Sequence, residues 1–215
     1  CHIEKSFNLS YLSDCLYTSQ TRSNNVNYVI GDSHARNYMP AIRNAFFPKR
    51  KTLYLTNAQA CLFSANSYSY SLSDKAPQSC KNQVNATLDY LRKNSKNGDY
   101  LFIGQSLMGK NLAKRSNKEY FRGIGNVVDA LRTKGVKVFL MDGTSPPLAP
   151  PEECILFPNK TGCMSSRNEV INNYAHFDQL ANAFADSYGY TYIAIRDGLC
   201  VGEICGQKTV HGSYI

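Results

Sequence analysis

The sequence predicts an α/β fold, a three-layer sandwich with a five-stranded parallel sheet between helices. Three observations predict it. Short apolar runs alternate with longer segments of helical periodicity along the chain. The apolar runs are continuous rather than alternating, as in strands covered by helices on both faces. No linker, internal repeat or low-complexity tract interrupts the 215 residues. A single domain over residues 1–215 is therefore expected, with 1–25 as a disulfide-stapled lead-in and 26–215 as the α/β core.

The elements follow in order. Val26 to Ile30 reads as a buried strand ending in a turn, and Ala35 to Phe46 as a helix with Tyr38, Ile42, Ala45 and Phe46 on one side. Thr52 to Leu55 is a second strand, and the stretch from Cys61 to Gln78 is polar and irregular. Asn82 to Arg92 has helical spacing through Val84, Leu88 and Leu91. Asp99 to Gly104 is a third strand, and Tyr120 to Arg132 a helix with Phe121, Ile124, Val127, Val128 and Leu131 as its apolar face. Val136 to Met141 is a fourth strand, followed by a Pro-rich loop, Pro146 to Pro151. Glu169 to Tyr188 is a long helix and Tyr190 to Ile195 a fifth strand.

Composition narrows the function classes. The net charge is +8, but the basic residues are scattered, with Lys49, Arg50 and Lys51 the only tight cluster. A nucleic-acid binder would carry a basic stripe on a recognisable module, so no nucleic-acid partner is expected. No apolar stretch approaches the roughly 20 residues of a membrane span. The chain begins at Cys1 without Met and is expected to be a processed or excised piece of a longer protein.

Eight cysteines set the compartment. They fall into four sequence-local couples: Cys1–Cys15, Cys61–Cys80, Cys154–Cys163 and Cys200–Cys205. Sequence does not fix connectivity, but four short loop staples are the preferred reading. Such bonds persist in an oxidising, extracytoplasmic compartment. No Cys/His grouping has structural-zinc spacing, and neither a metal nor a tightly bound cofactor is expected.

The chemistry centres on Gly31-Asp32-Ser33-His34. Gly31 permits a tight turn from strand to helix. Ser33 then stands at a helix start, where free N–H groups favour developing negative charge. Its own N–H can act as an oxyanion donor during acyl transfer. A serine hydroxyl still needs a base to become a nucleophile. The structural alternative is a routine helix cap. In a parallel sheet, reactive groups lie just past the carboxyl ends of the strands, and Ser33 falls there.

Val29-Ile30-Gly31-Asp32-Ser33-His34-Ala35-Arg36 resembles the first block of the SGNH/GDSL hydrolase superfamily, and more narrowly the SGNH domains of acyltransferase 3 membrane proteins. The similarity extends along the chain. It takes in the Cys1–Cys15 pair, Thr56 to Phe63, Val138 to Pro151 with Cys154 and Cys163 beyond it, and Leu199-Cys200 with Cys205. The resemblance implies a flavodoxin-like SGNH fold exported to the bacterial periplasm, tethered to the inner membrane through the rest of the parent chain. It implies a Ser-His-Asp triad moving an acyl group, usually acetyl, to or from hydroxyls of an envelope polysaccharide such as lipopolysaccharide O-antigen. The implied partners are the carbohydrate acceptor and a membrane acyltransferase domain that supplies an acyl donor derived from acetyl-CoA.

The chain also departs from that pattern. The superfamily carries His and Asp in a late D-x-x-H block, and no such block is present. Three readings stay open: the chain ends before the catalytic His and Asp, His211 fills the role of the His, or the domain is degenerate and serves as a glycan-binding module. In the third block, Gly104-Gln105-Ser106 puts Ser106 where the family has its oxyanion Asn; a hydroxyl can donate a hydrogen bond there. Near the second block stand Asn57, Ala58 and Gln59 but no Gly, and backbone N–H groups would serve. Asp142 reads as a turn former with Gly143, His34 as structural, His176 as packed or partly exposed, and Arg36 as a surface ion-pair partner. His2 is the remaining histidine.

Overall fold

A computed structural model describes residues 16–17, 23–46, 50–56, 62–65, 78–105, 114–142 and 163–206. The parallel sheet is built from the apolar runs. Its strands are β2 (Val26–Gly31), β3 (Lys51–Thr56), β4 (Tyr100–Gln105), β5 (Lys137–Asp142) and β7 (Thr191–Ile193). A two-residue strand β1 (Leu16–Tyr17) adds antiparallel to β3 at the edge, giving the order β1-β3-β2-β4-β5-β7. The five parallel strands match the sequence reading; the antiparallel edge strand is an addition to it.

The helices are α1 (Ser33–Phe46), α2 (Gln78–Asn94), α3 (Lys114–Arg132) and α4 (Arg167–Tyr188). The first crossover, through α1, carries the chain from β2 to β3 on one side; the later ones step the other way, through β4, β5 and β7. Because such crossovers share one hand, α1 covers the face opposite α2, α3 and α4. The core divides accordingly. Val29, Tyr54, Phe102 and Met141 pack with Ala35, Tyr38, Met39 and Ile42 of α1. Ile30, Leu55, Ile103 and Leu140 pack on the other face with Leu88, Phe121, Ile124 and Ala181.

Several expected boundaries move; α2, for one, begins at Gln78 rather than Asn82. α3 begins at Lys114, before the apolar period that starts at Tyr120, because its first turns are polar. The fifth strand shrinks from 190–195 to Thr191–Ile193, and Ile195–Leu199 forms a 3-10 turn instead. That turn feeds a small separate sheet of β6 (Met164–Ser166), β8 (Cys200–Val201) and β9 (Ile204–Gly206), in the order β6-β9-β8. Ser166 caps α4 by accepting a 3.1 Å hydrogen bond from the Glu169 N–H. The Cys200–Cys205 disulfide closes the β8–β9 hairpin. Cys80 and Cys163 are also disulfide-bonded; Cys61 and Cys154, their expected partners, and the Cys1–Cys15 pair lie outside the described residues.

Candidate active site

β2 and β4 are neighbours from which the chain leaves in opposite directions across the sheet. Such a switch point opens a crevice at the carboxyl ends of the strands. Here β2 ends on Gly31, which stands opposite Gly104, the next-to-last residue of β4. Gly31 has φ +149°, and a Cβ built on it would lie 1.7 Å from the Gly104 carbonyl oxygen. A Cβ on Gly104 would lie 2.7 Å from the Tyr38 ring and 3.0 Å from the Ala35 Cα. Two absent side chains thus let the first turns of α1 lie directly on β4.

Asp32 is buried and Ser33 is the first residue of α1. The Ala35 N–H donates to the Asp32 carbonyl at 3.1 Å, closing the turn. Ser33 is therefore held at the amino end of a 14-residue helix, above the switch-point crevice, where the helix dipole favours an oxyanion. This is the backbone setting that the sequence reading required of a nucleophilic serine.

The end of β4 carries a second device. Gln105 is fully buried. Its amide donates to the Phe63 carbonyl at 3.1 Å and accepts from the Tyr120 hydroxyl at 3.0 Å. Ser64 donates to the Tyr120 carbonyl at 3.4 Å. Gln105 thus ties the segment after β3 to α3, beneath the serine turn. Burial pushes the Tyr120 hydroxyl well above its ordinary pKa, with Tyr190 and the carboxylates of Asp32 and Asp142 adding to the effect. The sequence reading passed over Gln105. Strand alternation turns it to the α3 face, but its partners lie in other elements and no spacing announces them.

Asp142 requires a correction. It was expected to form a turn with Gly143; instead it is the last residue of β5, 1% exposed, and ion-paired with the 2% exposed Arg196. Arg196 also ion-pairs with Asp178 of α4 and lies 4.4 Å over the Tyr174 ring. The Tyr192 hydroxyl donates to Asp178 at 2.8 Å and accepts from Arg196 at 3.3 Å. Burial opposes the guanidinium's charge, but Asp178 and Asp142 outweigh it and hold Arg196 above its ordinary pKa. Asp142 and Arg196 are 54 residues apart in sequence, beyond the reach of a local reading.

His176 is exposed on α4. His34 and Arg36 belong to α1. Ser106, His211, His2 and Asn57 to Gln59 lie outside the described residues. Among the described residues, no group of three or more His, Cys, Asp or Glu could hold a metal ion, and no helix is long and apolar enough to cross a membrane. A cavity of about 320 Å³, lined in part by Leu16, Tyr28, Lys51 and Tyr90, opens at the amino ends of the strands, away from the serine turn.

A family model described as "SGNH domain (fused to AT3 domains)" matches residues 1–215, the whole chain. No curated protein shows a significant match to it.

Proposed function

The chain belongs to the SGNH domains that are fused to AT3 domains, and from that membership we propose that it moves an acyl group through an ester on Ser33. Membership carries the coarser reading, an acyltransferase- or esterase-like domain beside a membrane acyltransferase domain in the parent chain. The observation that supports the finer reading is the Gly31–Gly104 contact, which seats the amino end of α1 at the switch point of the sheet.

In the proposed reaction the Ser33 hydroxyl attacks the carbonyl carbon of an acyl donor. A histidine base, His211 or one elsewhere in the parent chain, takes the serine proton. Backbone N–H groups at the start of α1 take up the oxyanion, with Ser106 as a further donor. The intermediate collapses, the C–O bond to the leaving group breaks, and the leaving group receives the proton from the base. A sugar hydroxyl then gives its proton to the same base and attacks the acyl-enzyme, and Ser33 regains a proton as the sugar ester departs. Water in place of the sugar gives hydrolysis. We take the acyl group as acetyl, derived from acetyl-CoA and supplied by the membrane domain, and the acceptor as an envelope polysaccharide such as lipopolysaccharide O-antigen. The eight cysteines favour an oxidising, periplasmic setting.

The test uses the parent chain, p-nitrophenyl acetate and a fluorophosphonate probe. Wild-type protein is expected to label at Ser33 and to hydrolyse the ester. Ser33→Ala is expected to lose labelling and at least about 100-fold in rate. Equal rates in the two proteins, or no labelling of wild type, would sink the proposal. Glycan binding without labelling would favour the second reading, a degenerate glycan-binding module, which the engagement of Gln105 in internal hydrogen bonds motivates.

A further inference from the structure

We infer that the amino-end edge of the parallel sheet is a docking surface for an anionic lipid bilayer. The inference stands apart from the acyl-enzyme reading. It uses only the membrane acyltransferase domain to which this domain is fused in its family.

The basic residues are scattered along the sequence, but the topology gathers a set of them. In a parallel sheet every helix returns the chain to one edge, so the helix-to-strand connections lie together at the amino ends of the strands. Arg50 and Lys51 lead into β3. Lys93 stands in the last turn of α2 and Lys96 just beyond it, while Lys134 follows α3 and Lys137 begins β5. Lys93, Lys96, Lys134 and Lys137 are all exposed. Hydrogen bonds join these connections into one surface. The Arg50 guanidinium donates to the Gly98 carbonyl and lies 3.9 Å over the Tyr100 ring. The Gly98 N–H donates to the Gly135 carbonyl at 3.4 Å, and the Lys137 N–H to the Asp99 carbonyl at 3.1 Å.

Few carboxylates answer this charge. Arg92 and Arg132 on the same edge are paired with Asp89 and Asp129, at 3.2 and 2.8 Å, and add no net charge. Asp99 is buried and turned to backbone N–H groups, and Asp186 stands in the last turn of α4. The helix dipole favours cations near a carboxyl end, which accounts for Lys93, Lys96 and Lys134. It does not account for Arg50, Lys51 and Lys137, which stand at strand starts.

A basic edge alone would suit any polyanion. The cavity at the same edge narrows the choice. Its volume is about 320 Å³, and its walls include Leu16, Val26, Leu53, Tyr28 and Tyr90, with Lys51 beside them. Leu16 is 37% exposed. The two tyrosine rings meet edge to face at 6.5 Å, and the Tyr28 hydroxyl is engaged by the Asn94 carbonyl at 3.3 Å. A hydrated polymer gains little from walls of carbon, whereas the apolar part of a lipid gains from them. Cations around an apolar, tyrosine-bearing slot match the chemistry of a membrane interface. The bilayer that holds the parent's membrane domain is also the surface nearest this domain at all times. Docking by this edge turns the opposite edge, where Ser33 stands, toward the aqueous side.

The experiment uses the 215-residue chain, which contains the core of both sheet faces. Its binding to vesicles of phosphatidylcholine alone is compared with binding when about 30% is phosphatidylglycerol, at about 0.15 M and about 0.5 M NaCl. Each cation close to an anionic bilayer strengthens binding roughly fivefold. Lys96→Glu with Lys134→Glu is therefore expected to weaken binding to the phosphatidylglycerol vesicles at least about 50-fold. Lys118→Glu with Arg122→Glu, exposed on α3 away from this edge, makes the same change in net charge and should cost less than about fivefold. Both pairs are expected to melt within a few degrees of wild type. The chain has no Trp, so Leu16→Trp supplies a single reporter, whose fluorescence should be quenched by brominated lipid in the same vesicles. Equal weakening by the two pairs would overturn the inference, since it marks attraction by net charge alone. So would absence of binding to the phosphatidylglycerol vesicles at the lower salt. Binding to soluble polygalacturonate as tight as to vesicles, with no quenching of the tryptophan, would overturn it in favour of an anionic polymer.

Discussion

The two ends of β2 and β4 are built by opposite rules. At the amino ends a buried carboxylate does the joining. Asp99 accepts from the Val26 N–H at 2.8 Å and the Asn25 amide at 3.3 Å with one oxygen, and from the Lys96 N–H at 2.9 Å with the other. Its own carbonyl takes the Lys137 N–H at 3.1 Å, so a single residue fastens β2, β4 and β5. At the carboxyl ends the same strands meet through Gly31 and Gly104, with no side chain between them. The anchored end fixes register, and register is what allows the other end to dispense with side chains and bring a helix terminus against bare backbone. Strain and close approach gather where chemistry is proposed, and hydrogen-bond redundancy gathers where it is not.

That contrast can be broken at either end. The larger effect is expected from Gly31→Ala. The new Cβ would collide with a backbone carbonyl and the residue would sit at φ +149°, so overpacking and an unfavourable dihedral act together. A loss of about 3 kcal/mol is expected, read as a melting shift of about 6–12 °C, with Ser33 labelling abolished because the first turn of α1 is displaced. An unchanged melting temperature and labelling rate would show that the glycine contact does not seat the helix. Asp99→Ala acts at the other end. It strands two part-buried backbone donors that bond to a charged acceptor and should cost about 2 kcal/mol. Below its melting temperature the variant should still label at Ser33 at the wild-type rate. If labelling fell as far as in Gly31→Ala, the two ends would not be separable.

How far the sequence disclosed this follows the same division. The strand-turn-helix around Ser33 was legible because every part of it is local: a continuous apolar run, a glycine, a helix start. The five parallel strands were legible for the same reason. Asp99, Gln105 and Arg196 were not, since each acts through partners in other elements. Arg196 shows the cost most plainly. The run from Tyr190 to Ile195 has strand composition, yet the chain leaves the ladder after Ile193 and Arg196 is drawn inward to Asp142 and Asp178. The short antiparallel pieces β1, β6, β8 and β9 carry too few residues for any periodicity.

The smallest expected effect concerns what both ends share, buried tyrosine. Burial raises the pKa of Tyr28 at the amino end, with Asp99 and Tyr90 adding to it. Burial likewise raises Tyr120 beneath the carboxyl end, and Tyr190 and Tyr192 nearby. Each folded value lies above the ordinary 10.0, so the folded state keeps protons that the unfolded chain releases. Their stabilising effect is therefore complete below about pH 10 and is lost as pH rises through the folded values. Denaturant melts from pH 7 to 11 should show little tyrosine-dependent change at first and a decline beginning near pH 10. Tyr120→Phe is expected to cost about 1 kcal/mol at pH 7, through the lost hydrogen bond to Gln105, and to flatten the alkaline decline. Tyr28→Phe should flatten it less, since Tyr120 is the more completely buried of the two. The reverse order would mean that the amino end, with its carboxylate, is the more tightly sealed against hydroxide, and that the packing under the serine turn opens more readily than its burial implies.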